Sequence, residues 1–267
     1  LFGDLNFNYY DIRVAELITA YGRYSLSKMQ KIAELNGFEI VGGDTDSLFL
    51  LDTKNGNNDE KQALSQLISE SKEKIGIDLE VSATFVKAII TKKKHYVGVT
   101  VKGDIIIRGM EGKKNDRPRW LNETFSEFLR IILFNDDAFP AVEYLKQSVR
   151  NLEGKKVDPD ALKIWVELSR DPSDYKVNNI QKKIGHQLRA KAGDLIYYYK
   201  SDNHNGASLD PQDLSIRKYK VMLWQVVKDI LEILKCDLNS LAQEFCLENK
   251  TSEVISVTNE QSGDHAM

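Results

Sequence analysis

The sequence predicts an α+β chain: an antiparallel sheet with packed helices over residues 1–119, followed by a mainly helical part over residues 120–240. Three observations carry this. Apolar residues recur at helical spacing near the N-terminus, alternating and β-branched runs dominate between Phe38 and Arg108, and beyond Arg119 helical spacing returns, interrupted by Pro140, Pro159 and Pro172.

Val14, Leu17, Ile18, Tyr21, Leu26, Met29, Ile32, Ala33 and Leu35 set a helix over residues 13–36, leaving Lys28, Gln30, Lys31 and Glu34 for its polar side. Asn36-Gly37 stops it, because glycine takes the left-handed conformation that ends helices. Residues 38–41 and 47–52 are extended runs, and Gly42-Gly43-Asp44-Thr45-Asp46 between them is turn chemistry, so the pair reads as a hairpin with acids at its bend. A polar loop over 54–60 leads into a surface helix over 61–74 that turns Leu64, Leu67 and Ile68 inward. Strands are expected over 79–90, 95–101 and 104–108, with a tight turn at Lys102-Gly103-Asp104, which puts Lys92-Lys93-Lys94 at the mouth of a sheet. Residues 122–134, 141–152, 160–167 and 178–191 carry helical spacing, 194–200 is a short strand and 210–234 a long helix. Residues 241–267 form a C-terminal tail, polar and aperiodic from Lys250 onward.

At 267 residues, 42% hydrophobic and 29% charged, the chain has enough apolar material for one large core or two ordinary ones. No apolar run approaches the roughly 20 residues of a membrane helix, and no basic-then-apolar leader opens the sequence. The expectation is a soluble intracellular protein with no membrane partner, cytoplasmic, or nucleoid-associated in a prokaryote. Cys236 and Cys246 lack metal-ligand spacing, which argues against both a zinc site and a disulfide framework. The sequence opens at Leu1 where a translated chain carries Met, and chain upstream of it is expected.

The formal charge of −3 hides an asymmetry. Residues 87–119 hold ten basic side chains against three acidic ones, a local +7 that leaves −10 for the rest. A basic face on an acidic protein suits a polyanion, and the competing reading is a solvated lysine-rich surface.

The acids of the bend are the sharpest local feature. Asp44 and Asp46, two residues apart in a tight turn after an apolar strand, offer hard oxygen ligands to a divalent cation such as Mg²⁺. Aspartates also occur in turns for their own hydrogen bonds. An EF-hand loop starting at Asp44 fails, since it needs a polar ligand and a glycine where Leu48 and Phe49 stand. A phosphatase of the haloacid dehalogenase type also uses Asp-x-Asp after a strand, with the first Asp as nucleophile, but that motif opens its domain and here a long helix precedes it.

Several ordered segments together resemble family B DNA polymerases. Ala15 to Arg23 is similar to the helix before the palm hairpin, Gly43-Asp44-Thr45-Asp46-Ser47 to the family's Tyr-Gly-Asp-Thr-Asp-Ser, and Lys93-Lys94-His95-Tyr96 to its Lys-Lys-Arg-Tyr. Arg108-Gly109-Met110-Glu111 through Asp116 resembles Lys-Gly-(apolar)-Glu-x-x-Arg-Arg-Asp; Leu168 to Pro172 with Tyr175, and Gly193 to Tyr198, resemble thumb segments. The resemblance implies the rear of a palm over residues 1–119, with a catalytic hairpin in its antiparallel sheet, and a thumb over 120–240. It implies nucleotidyl transfer from deoxynucleotide triphosphates onto primer-template DNA with two Mg²⁺ ions, Asp46 binding both and Asp44 supporting. Lys93, Lys94, His95, Tyr96, Arg108, Lys113 and Lys114 would contact the nucleic acid, through charge and without regard to sequence. Tyr96 has ordinary sheet packing as its plain alternative.

Departures are present. Gly42 stands where the family has Tyr, His95 replaces Arg, and Lys114 and Asn115 replace a pair of arginines. The family's other palm Asp, its fingers and its exonuclease belong to sequence upstream of Leu1, so the Mg²⁺ ions must be shared with a carboxylate outside this chain. The isolated chain is therefore expected to be inactive, either a fragment or one half of a split enzyme completed by an N-terminal half. The rival of a different class is a catalytically silent DNA-binding subunit with the same fold.

Overall fold

Helix α1 (Ile12–Leu35) starts where the Asp11 carboxylate accepts from the Arg13 backbone N–H, and ends at Asn36, whose side-chain amide donates to the Ile32 carbonyl at 2.9 Å. Gly37 follows at φ 85°, the left-handed residue the sequence called for. These features come from a computed structural model that describes residues 3–6, 8–44, 47–53, 59–110, 117–202 and 206–245. The side chains of Asp44, Asp59 and Glu60 lie outside that description.

The chain divides into two compact units, residues 1–84 and 85–267. In the first, α1 leads into an antiparallel hairpin of β1 (Phe38–Asp44) and β2 (Ser47–Asp52), and then α2 (Asp59–Ile75). Its core is Ile32, Ala33, Phe38 and Leu67, with Ile40, Leu50, Leu64 and Leu79 packed around them. The helix, hairpin and second helix all match the sequence reading. Residues 79–84 do not: they were expected to begin a strand, yet they join no ladder, and β3 starts only at Phe85.

The second unit opens with a three-stranded antiparallel sheet of β3 (Phe85–Lys92), β4 (His95–Thr100) and β5 (Ile105–Arg108). Gly103 turns β4 into β5 at φ 87°, with its N–H bonded to the Thr100 carbonyl at 2.9 Å. Helices α3 (Arg119–Phe134), α4 (Phe139–Glu153) and α6 (Ile216–Ile233) share one core with that sheet. Phe128 and Leu129 of α3, Leu145 of α4, Tyr219 and Leu223 of α6, and Val97 of β4 are all buried in it. A second cluster, centred on Ile164, Leu168, Ile184 and Ile196, joins α5 (Ile180–Leu188) to a sheet of β6 (Ile164–Glu167), β7 (Leu195–Lys200) and β8 (Ala207–Ser208).

Four expectations change here. Residues 160–167 were read as helix, but Pro159 opens only a 3-10 turn capped by Asp158, and Ile164–Glu167 pairs with β7 as a strand. The helix expected over 178–191 is shorter, because Asn179 caps its start and Arg189 ends it at φ 54°. The long helix expected from residue 210 begins at Ile216, after a separate 3-10 turn at Pro211–Asp213, since Ser215 supplies the N-cap by accepting from the Lys218 N–H. Residues 241–245, expected to belong to the tail, do not: α7 (Leu238–Glu244) runs into them, and Leu241 and Phe245 are buried in the main core. Residues 246–267, with Cys246, lie outside the described residues. Among the described residues no helix is long and apolar enough to cross a membrane.

Candidate functional site

The first unit carries the acidic bend. Residue pairing runs from Phe38↔Asp52 to Asp44↔Ser47, with an irregularity between Ile40 and Gly42. The register thus leaves Thr45 and Asp46 as the two residues that join the strands. Gly43 is packed closely: a Cβ there would stand 3.1 Å from the Leu48 side chain. Asp46 and the Asp44 carboxylate lie outside the described residues, so the hairpin locates the acids along the chain and goes no further. Among the described residues no three His, Cys, Asp or Glu side chains gather as a metal would need.

The second unit carries the basic turn. Lys92↔His95 is the last pair of β3 and β4, so Lys93 and Lys94 form the turn itself. Lys94 sits at φ 65°, a conformation lysine rarely takes. Its neighbours hold it there. The Lys94 carbonyl packs against Gly109 at the end of β5, where an added Cβ would lie 2.1 Å from that oxygen and 3.0 Å from the His95 ring. Gly109 is itself at φ 68°. His95 Nδ1 lies 2.9 Å from the Lys93 carbonyl, and Thr91 Oγ1 donates to the His95 carbonyl at 3.3 Å. The turn lysines are therefore displayed by a buttressed loop.

Tyr96 follows in β4, opposite Ile90 on one side and Arg108 on the other. Its ring meets Phe85 edge to face at 6.1 Å. Phe85 reaches it by lying across Gly98, where a Cβ would come within 2.5 Å of the Phe85 ring. Tyr96 thus has a packing role in the sheet. Arg108 ends β5 on the exposed side, and Lys113 and Lys114 lie outside the described residues.

Several cations of the basic segment make contacts within the unit. Lys87 donates to the carbonyls of Ile132 and Asn135 at 2.9 and 2.5 Å, placing a cation at the C-terminal end of α3 where the helix dipole favours it. Lys92 pairs with Asp229 of α6 at 3.1 Å, and Arg119 with Asp158 at 3.4 Å. Sequence reasoning could count these charges but could not sort them. The buttress at Gly109 was missed too; a glycine directly after a strand was its only signal.

Away from the turn, Tyr219 ties three elements together. Its buried hydroxyl donates to the Leu162 carbonyl at 2.7 Å and accepts from the Lys200 N–H at 3.1 Å. Burial pushes the phenol well above its ordinary range.

The sequence profile described as "DNA polymerase family B" matches residues 3–252, and the chain belongs to that family. It is 33% identical over 224 residues to DNA polymerase 1 of Aeropyrum pernix, covering 77% of this chain and 22% of that protein. It is 30% identical over 267 aligned residues to DNA polymerase 1 of Saccharolobus solfataricus, covering 93% of this chain and 30% of that one. The solved structure of the family B DNA polymerase from Pyrobaculum calidifontis superposes with a TM-score of 0.63 over 86% of this chain and 31% of that one; at 24% identity the likeness concerns the fold. The chain thus spans less than a third of the length of these relatives.

Proposed function

We propose that this chain supplies part of a DNA-directed DNA polymerase: a palm hairpin bearing Asp44 and Asp46, and a basic sheet edge and thumb that grip primer-template DNA. The observation that carries the reading is a family match from residue 3 to 252 that includes both the acidic bend and the two-lysine turn. In this reading residues 1–119 serve as palm and 120–240 as thumb. Polymerisation from deoxynucleotide triphosphates draws in addition on the portion of the enzyme that the relatives hold and this chain does not span.

The donor set suits a hard cation. Asp44, Thr45, Asp46 and Ser47 present only oxygen ligands, with no sulfur or imidazole beside them, which is the chemistry Mg²⁺ selects. Asp46 and Asp44 are the residues that would hold it, sharing two ions with a carboxylate from outside the chain. Such ions, when bound, activate the primer 3'-hydroxyl and neutralise the departing pyrophosphate. The chain's own contribution is position. Lys93 and Lys94, on a turn that packing restrains, neutralise backbone phosphates without reading bases, and His95, Tyr96, Arg108, Lys113 and Lys114 extend that surface.

Two measurements test this. Combined with the complementary portion of a family B polymerase, the chain should extend a primed template, and Asp46→Ala should abolish extension; near-normal turnover in that variant would assign the carboxylate wrongly and leave a DNA-binding subunit. For the grip, anisotropy titrations of labelled primer-template at several salt concentrations should show a linear fall of log affinity with log salt. Replacing Lys93 and Lys94 together should reduce that slope by about 2, whereas replacing Lys61 and Lys72 should leave it unchanged. Equal slopes for all three proteins would reduce the basic run to a solvated face.

A further inference from the structure

Helix α1 carries a continuous apolar stripe that its own unit covers over only part of its length. Its buried residues, Ser25, Met29, Ile32 and Ala33, all lie in the C-terminal half. Toward the N-terminus the stripe continues through Leu17, Ile18, Tyr21 and Tyr24, which at helical spacing fall within about a third of the circumference and border the side on which Ser25 and Ile32 sit. These four are between 55% and 68% exposed. Tyr21 and Tyr24 lie side by side with ring centroids 6.3 Å apart. Lys28 stands over the Tyr24 ring at 5.5 Å and closes the stripe with its first charge. At the junction of the covered and bare halves, Ser25 is buried with a hydroxyl that has no hydrogen-bond partner among the described residues. Solvated helices do not keep a row of large apolar side chains bare unless another surface covers it.

We propose that this stripe is the docking surface for the portion of a family B polymerase that the chain does not span. This rests on the functional reading above. The occupant follows from coverage: α1 lies inside the stretch that matches the family, and in the relatives the matched stretch is 22% and 30% of a longer protein. The counterpart of α1 in those proteins therefore has the remaining length available to cover it. The stripe is uncharged from Leu17 to Tyr21 and again at Tyr24, so the complementary surface is apolar and neutral.

The test uses the full 267-residue chain and, as probe, immobilised Saccharolobus solfataricus DNA polymerase 1 lacking the matched 30% of its length. The parent chain should bind. Leu17→Asp and Tyr21→Asp should each weaken binding at least tenfold, and the milder Leu17→Ser and Tyr21→Ser should weaken it in the same order. Gln30→Asp, on the side of the helix opposite the stripe, should bind like the parent. Circular dichroism melting of the free Leu17 variants should coincide with the parent's, because that side chain is exposed in the free chain. The Tyr21 variants also lose the 3.3 Å hydrogen bond that the Tyr21 hydroxyl donates to the Ile75 carbonyl, so Tyr21→Phe, which loses the same bond and keeps the ring, should bind like the parent. No binding by the parent, or equal binding by both stripe variants, overturns the proposal. So does self-association of the parent in sedimentation that Leu17→Asp removes, since the stripe then belongs to a second copy. The salt-dependence experiment involves no α1 residue, so a failure there condemns the DNA reading alone.

Discussion

The two units bury their helices in different ways. In residues 85–267, α3 buries Trp120, Leu121, Phe125, Phe128, Leu129, Ile132 and Leu133, spread along its whole length, against α4, α6 and a sheet. In residues 1–84 the longer α1 buries no residue before Ser25. Among the described residues the first unit's main cluster is also small: Ile32, Ala33, Phe38 and Leu67 are ringed by partly buried side chains. Both helices carry apolar residues at helical spacing, and α3 is the shorter and more amphipathic of the two; the other difference is how much of that spacing their own unit covers. The second unit buries its helix along the whole length, and the first buries only the C-terminal half of α1.

The comparison can be broken most sharply in the core of the second unit. Phe128→Ala should destabilise it by about 3–5 kcal/mol, read from urea unfolding, because the ring is wholly buried and its neighbours come from several elements. A loss under 1 kcal/mol would show that this core is not the cooperative one. Next comes Tyr219→Phe, expected to remove about 1–3 kcal/mol by leaving the Leu162 carbonyl and Lys200 N–H unpaired. The same residue predicts a pH dependence. Its folded-state pKa is raised, so its contribution is complete below the ordinary phenol pKa of about 10 and is lost as pH rises further. Melting temperature should fall above that pH in the parent and fall less in Tyr219→Phe; parallel curves would remove Tyr219 as the cause.

Gly109→Ala should cost at least the roughly 1–2 kcal/mol of a left-handed backbone, with the displacement of the Lys94 carbonyl added to it. Its informative effect is on DNA. If Gly109 acts by holding the two-lysine turn, the substitution should weaken primer-template binding in the parent and add nothing once Lys93 and Lys94 are already alanine. Additive losses in that cycle would make Gly109 a packing residue only. Smallest of all, Leu17→Ala in the free chain should change stability by about 0.5 kcal/mol or less, since the side chain is exposed there. A loss near that of Phe128→Ala would mean the first unit covers α1 after all.

Much of this architecture is legible in the residues. Helix α1, the β1–β2 hairpin, α2, the β3–β4–β5 meander, α3, α4 and β7 are set by local signals: apolar periodicity, Asn36-Gly37, Lys102-Gly103-Asp104 and the prolines. Strand β6 was misread because Ile164–Glu167 is extended only by pairing with β7, some thirty residues later in the chain. The start at residue 79 was misread for the converse reason: an apolar, β-branched run without a partner forms no ladder. Helix α7 was missed because seven residues carry too little periodicity, and Leu241 is buried only when α7 joins the main core.

By itself the sequence determined which side chains could do chemistry and in what order they occur: Asp44 and Asp46 at one bend, Lys93 and Lys94 at another, and an apolar stripe on α1. These rest on residue type and short spacing, which backbone periodicity converts directly into position. Only tertiary structure decided what surrounds these groups and their neighbours. Lys87 and Lys92 are drawn into contacts with α3 and α6, Gly109 is needed because Lys94 arrives against it, and the stripe on α1 is covered at one end and bare at the other. The reason is physical: pairing and burial depend on partners brought from far along the chain, and no local pattern specifies them.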